Sequence, residues 1–190
     1  SFNTITTSAT GSTVIGGNIT TVNAQTYADD VVLGSSDSAV STYTLTSSGN
    51  ADITFSKKIN SGTTTGQRTL SVVTDGVTRF NGDIGTSKVL TGLITDAGGS
   101  TRIDAASVKA IDQTYGDAVV LVKTTGTTTL TADDGAAGGD VTFSSTLDGN
   151  TSDTASLTIV ADGTTTFSGA VGATTGLKAL ITDKQSTDVT

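Results

Sequence analysis

The sequence predicts an all-β chain wound into a parallel β-solenoid of about seven coils, and three observations carry that expectation. The stretch QTYADDVVL (25–33) returns as QTYGDAVVL (113–121), about 88 positions later. A shorter phrase, an aromatic or aliphatic residue, a usually small one and an aliphatic at alternate positions, recurs several times in each copy. The vocabulary is that of strands and turns: Thr is roughly a fifth of the chain, Gly numbers 23, and all 18 acids are Asp.

The repeat extends well past the nonapeptide. ADITFSKKI (51–59) answers GDVTFSSTL (139–147), and RTLSVVTDGVTRFNGDIG (68–85) answers ASLTIVADGTTTFSGAVG (155–172). GLITD (92–96) answers ALITD (179–183), and ITTSATGSTVI (5–15) lies over LITDAGGSTRI (93–103). The chain therefore divides into internal repeats of approximately 13–100 and 101–187, with 1–12 as the tail of a preceding repeat.

Within each copy the phrase reads Ile15-Gly17-Ile19, Tyr27-Asp29-Val31, Phe80-Gly82-Ile84, Tyr115-Asp117-Val119 and Phe167-Gly169-Val171, with Phe55-Lys57-Ile59 and Phe143-Ser145-Leu147 carrying a polar middle. Alternate residues of a strand share a face, so the outer two of each triplet point inward. A small middle residue lets the strand bend without filling the interior. The aromatic is usually preceded by Thr (26, 54, 114, 142, 166), a β-branched residue suited to the outside. Tyr27 and Tyr115 take the core slot of the phrase. The segment 105–123 has a helix-like composition, but its counterpart GGNITTVNAQTYADDVVLG (16–34) does not, and both are read as strands.

Composition also excludes chemistry. There is no Cys, His, Met, Trp, Pro or Glu, which removes disulfides, thiolate and imidazole ligands, thiol nucleophiles and the usual general base. The net charge of −8 is spread along the chain, with no basic patch beyond Lys57–Lys58, so nucleic acid is not an expected partner. No apolar run approaches the roughly 20 residues of a membrane span, and no signal-peptide pattern opens the chain. Because it begins at Ser1 without Met, the chain reads as a piece of something longer.

Short β segments between Gly, Asn and Asp turns fit a solenoid, a barrel or a sandwich. A long fixed period favours the solenoid, in which like residues stack on like, with coils of roughly 20–30 residues and three or four coils to a unit. The alternative is two tandem Thr-rich β-sandwich domains divided at the repeat boundary.

The phrases DITFSKKINSG, DVTFSSTLDG, DGTTTFSGAVG and LITDAGGSTRIDAASVKAIDQTYGDAVVL resemble the β-strand repeats of giant bacterial surface and secreted proteins, the filamentous-haemagglutinin-like adhesins and autotransporters. The resemblance covers essentially the whole chain and rests on TF-x-G-x-V, DAGG-T and QTY-x-x-x-V. It implies a right-handed parallel β-helix stalk exported across the outer membrane and displayed at the bacterial cell surface, and it supplies no active-site residues. The chain departs from the plainer phrase at Lys57–Lys58 and Asp29–Asp30, where Gly is usual.

Candidate sites are few. Asp29 and Asp30, together with Asp133, Asp134 and Asp140 of ADDGAAGGD, place hard oxygen ligands near Gly turns, the chemistry that Ca²⁺ takes, although no calcium-loop motif is matched. Turn residues are the simpler reading of all five. Asp133 and Asp134 also have the carboxylate pairing of polysaccharide-cleaving β-helices, but without the surrounding aromatics. The triplets 63–65, 127–129 and 164–166 echo the flat Thr arrays of ice-binding solenoids, the last two as the pair to align. Asn18 and Asn150 open glycosylation triplets.

The expectation is thus a structural stalk or matrix segment of a large extracellular adhesin. It has no catalytic residues and no cofactor, Ca²⁺ apart. Its partners are neighbouring repeats, a second copy end to end, and host or matrix glycans. The alternative is a carbohydrate-binding or carbohydrate-degrading β-helix.

Overall fold

The computed structural model describes residues 1–34, 41–62, 68–133 and 138–182. Twenty strands, β1 to β20 in chain order, cover Ile5–Thr6, Ser12–Ile15, Ile19–Thr21, Gln25–Tyr27, Asp30–Leu33, Thr42–Ser47, Ile53–Phe55, Ile59–Ser61, Thr69–Val73, Val77–Phe80, Leu90–Thr95, Ser100–Ile103, Ser107–Tyr115, Ala118–Leu121, Thr127–Ala132, Val141–Phe143, Leu147–Gly149, Ser156–Ala161, Thr165–Phe167 and Ala179–Ile181. There is no helix among the described residues. The helix-like stretch 105–123 forms β13 and β14, as its repeat counterpart requires.

Each strand pairs in parallel with strands one turn before and after it, giving a β-solenoid of about seven turns. The first face stacks β1, β4, β7, β10, β12, β14 and β17. The second begins with β2, β5 and β8, passes through single bridges at Ile84 and Val108, and continues with β15, β18 and β20. The third holds β3, β6, β9, β11, the second half of β13, β16 and β19. Strand β13 turns the corner without a break: Ser107 pairs with Thr129 on the second face, while Tyr115 pairs with Thr95 and Phe143 on the third. Parallel pairing through the repeat boundary, from β10 to β12 to β14, rules out two antiparallel sandwiches.

Alternation does the sorting. Leu70 and Val72, or Leu157 and Ile159, point inward from their strands while their neighbours are half-buried. Two aromatic ladders run through the interior. Tyr27, Phe55 and Phe80 stack on the first face at centroid spacings of 5.2 and 5.5 Å; Tyr115, Phe143 and Phe167 stack on the third at 5.1 and 5.3 Å. These spacings are what the roughly 4.8 Å strand repeat imposes on rings held in register.

The phrase triplets sit at the corners. Asp29, Lys57 and Gly82 stack between the Tyr27–Phe55–Phe80 ladder and the Val31–Ile59–Ile84 column. Asp117, Ser145 and Gly169 do the same between Tyr115–Phe143–Phe167 and Val119–Leu147–Val171. A Cβ on Gly82 would run into the backbone of Lys57 in the turn before, so this corner admits only glycine there.

Coil length is not uniform. Register partners lie 18 residues apart at Ser12 and Asp30 but 29 apart at Thr127 and Ser156. As a result the 88-residue unit is not a whole number of turns. From β4 to its counterpart in β13 the chain takes eleven strand steps, three turns and two thirds. The first copy's Tyr27 is therefore on the first face and the second copy's Tyr115 on the third. Like stacks on like within a copy, and between copies the pattern moves round by one face, which the bare repeat length does not reveal.

Candidate functional site

The QTY-x-D phrase is a satisfied internal polar network. Gln, Tyr and Asp fall on alternate positions, so all three face inward, and all six side chains of the two copies are buried. In the first copy Tyr27 donates to Gln25 Oε1 at 2.8 Å, and Gln25 Nε2 donates to the Thr46 carbonyl one turn on at 2.9 Å. In the second, Tyr115 donates to Gln113 Oε1 at 3.0 Å and Gln113 Nε2 to the Thr131 carbonyl at 3.0 Å. A buried polar group left unpaired is costly, so each Gln serves as the partner that lets a Tyr occupy the core.

Each phrase Asp is gripped by two threonines from the preceding turn. Asp29 accepts from Thr7 and Thr13, and Asp117 accepts from Thr95 and Thr101, at 2.5 to 3.0 Å. The clamps are alike but their electrostatics differ. Burial, helped by the nearby Asp96 charge, pushes Asp117 up to about 6 despite its two hydroxyl donors. Asp29 is also raised by burial, but the Thr7 and Thr13 hydroxyls, its own backbone N–H and the Lys57 charge together bring it below the ordinary carboxylate value.

Several other acids stitch adjacent turns. Asp30 accepts from the Lys58 N–H, Asp52 from Val77, Asp83 from Ala106 and Ser107, Asp112 from Asp140, Asp140 from Thr164, and Asp148 from Thr174 and Thr175. Asn18 and Asn60 act alike, on Thr44 and on Ser87 with Lys88. This is a physical reason for Asp over Glu: a short carboxylate reaches the next turn's backbone from a strand end.

The calcium candidates accordingly occupy separate places. Asp29 is buried in its clamp, Asp30 faces outward at the adjoining corner, Asp133 is half-buried at the end of β15, and Asp140 is exposed on the third face. Asp134 lies outside the described residues, as do the threonines 63–65. No group of three potential metal-ligating side chains occurs among the described residues. The Thr triplets 127–129 and 164–166 do not align, because β15 pairs with β18 on the second face and β19 with β16 on the third. Asn150 holds the Arg102 guanidinium at 2.6 Å. No helix among the described residues is long and apolar enough to cross a membrane.

Folding gathers one charged cluster that the chain's linear order hides. Lys57, Lys58 and Lys123 line an open cleft of about 360 Å³ at the corner between the first and second faces, interleaved with Asp30, Asp83 and Asp104. Lys123 lines the same cleft from three turns further along, but the three aspartates balance the three lysines, so the basic patch does not extend beyond Lys57–Lys58. A second hollow, of about 410 Å³, lies on the outer third face over Gly92, between threonines and Asp112 and Asp140.

No protein-family model, no curated protein and no solved structure matches this chain.

Proposed function

We propose that the chain is a structural stalk or matrix segment of a large extracellular bacterial adhesin, a repeat-built rod whose work is mechanical. The observation that supports this most is continuity: parallel ladders run along the rod, and the two copies join with no linker or domain break between them. About seven turns at roughly 4.8 Å each make a segment roughly 35 Å long. Backbone hydrogen bonds lie along its axis, the direction in which a spacer bears load. The polar atoms that the sequence makes most distinctive, in QTY-x-D, are consumed inside the wall and are not offered to a ligand.

The same reading extends to partners. In the last described turn β20 exposes Leu180 (38%) and Ile181 (51%) beside a strand edge with no partner among the described residues. A neighbouring repeat or a second copy, stacked end to end, covers such an edge by continuing the ladders.

Small-angle X-ray scattering on the chain and on a genetic tandem of two copies tests the rod. The expected result is one stiff particle of unchanged cross-section and about doubled length. Two bodies joined flexibly overturn the reading. Location is tested separately, by labelling intact cells of the source organism with an antibody against the chain; signal only after permeabilisation overturns surface display.

A further inference from the structure

We propose that the corner cleft at Lys57, Lys58 and Lys123 is a binding site for an acidic saccharide, one carrying both carboxylates and free hydroxyls. The rod is acidic overall, with a net charge of −8, yet three of its seven lysines line this one cleft, drawn from separate turns. Among the described residues the side-chain ion pair is Arg79–Asp52, so the cleft lysines stand near carboxylates without a direct salt bridge to them. Lys57 Nζ donates to the Ala9 carbonyl at 2.6 Å, outside the cleft lining, so Lys58 and Lys123 are the ammoniums left for a ligand. Gly82 also lines the cleft.

The acids decide the class of ligand. Asp30 and Asp83 use one oxygen on backbone N–H groups of the next turn, and exposed Asp104 lies beside them. Their remaining oxygens, with the Asn81 amide, call for hydrogen-bond donors on the ligand. Inorganic phosphate at neutral pH carries at most two hydroxyl donors, fewer than the acceptors that three carboxylates and Asn81 present. A uronic-acid-type sugar matches both halves: its carboxylate goes to the lysines and its hydroxyls to the aspartates. An extended peptide finds no ladder to join, because the backbone here is already paired: Ile59 N–H bonds Asp83 O, Ile84 N–H bonds Ser107 O, and Asp83 holds Ala106 N–H. The volume lies near the lower end of small-ligand sites, roughly 300–1,000 Å³.

This goes beyond the stalk reading and does not depend on it: a rod that binds no sugar remains a rod. The test is calorimetric titration of the whole chain with trigalacturonic acid, with neutral galactotriose and with inorganic phosphate. Saturable binding of trigalacturonic acid is expected, weakened by raised salt, with no binding of galactotriose and none of phosphate in the same range. The double variant Lys58→Gln/Lys123→Gln should lose tenfold or more in affinity, and Lys178→Gln in the last turn should leave it unchanged. An unaltered circular-dichroism melt shows that the variants are folded, as exposed Lys58 and half-buried Lys123 allow. No saturable binding of trigalacturonic acid at millimolar concentration, equal binding of phosphate or galactotriose, or a double variant that binds like the parent would each overturn the proposal.

Discussion

Phe55 and Phe143 hold the same place in the two copies of the repeat, each the middle ring of a three-ring stack, yet they stand on different faces of the rod. Each is sandwiched between a Tyr one turn earlier and a Phe one turn later. Replacing either with Ala leaves a hole bounded by rings that backbone ladders hold apart. Phe55→Ala and Phe143→Ala should each cost about 3–5 kcal/mol in urea unfolding. Phe167→Ala, at the half-buried end of its stack, should cost clearly less. Equal losses at all three positions would show that ring stacking is not what sets the cost.

The twin Asp clamps should respond oppositely to pH. Asp117 titrates near 6 when folded but near 3.8 when unfolded. Between about pH 4 and 6 the unfolded chain ionises there while the folded chain keeps its proton, so this group's contribution to stability falls as pH rises and levels off above 6. Asp117→Asn retains an Oδ1 that can accept both threonine hydroxyls, and it should gain on the parent across that window, by about 3 kcal/mol at most. Asp29, lowered in the folded state, contributes stability that is present above its unfolded value and lost as pH falls through its folded one. Asp29→Asn should therefore lose ground to the parent at neutral pH and recover it in acid. Thermal melts from pH 3 to 8 check both signs.

Removing a clamp donor isolates the hydrogen bonds. Thr101→Val keeps the shape but takes away the hydroxyl shared with both Asp117 oxygens. A loss of about 1–3 kcal/mol at pH 7 is expected, shrinking in acid as Asp117 becomes neutral. A loss of the same size at pH 3 and pH 7 would assign the effect to packing alone.

Two glycines should behave differently from a third. Gly82→Ala and Gly116→Ala place a methyl against backbone one turn earlier, at Lys57 and at Asp96; the second contact is 2.7 Å. Each should cost about 1–3 kcal/mol by forcing turns apart. Gly16 has open space around its Cβ position, and Gly16→Ala should fall within about 0.5 kcal/mol of the parent. Guanidinium midpoints for the three variants decide it. The contrast matters because the other copy of the repeat carries Ala28 at the position of Gly116.

All three tyrosines are fully buried, so iodide should leave their fluorescence essentially unquenched until the rod unfolds. Burial raises the phenols of Tyr27 and Tyr115, the Asp117 charge adding to it at Tyr115, and alkaline titration should show their tyrosinate absorbance delayed until unfolding. Free quenching in the native state would remove the core assignment.

Much of the wall was legible in the chain. Parity assigned Tyr27, Phe55, Phe143 and Val119 to the interior, since a strand can send a side chain only to one side or the other. The middle residue of each phrase marked a corner, but the steric reason is another one: at Gly82 a side chain would meet the Lys57 backbone of the turn before and not the interior. The Thr partners of Asp29 and Asp117 were not legible, because nothing local ties Thr13 to Asp29; the clamp exists only when one turn is laid on the next. The Asp stitches were anticipated merely as turn residues, and their reach to the following turn's N–H groups depends on register.

By itself, then, the sequence determined the strand vocabulary, the inward and outward assignment and the existence of a twofold repeat. These follow from a period of two and from residue size, which are local. Tertiary structure alone decided the phase of the repeat and the company each surface residue keeps. Turn lengths between corners vary, so the 88-residue unit closes after three turns and two thirds, and QTYADDVVL and QTYGDAVVL come to rest on different faces. The same winding brings Lys123 to the corner of Lys57 and Lys58. That neighbour relation depends on the summed length of every intervening turn, and no short stretch of the chain contains it.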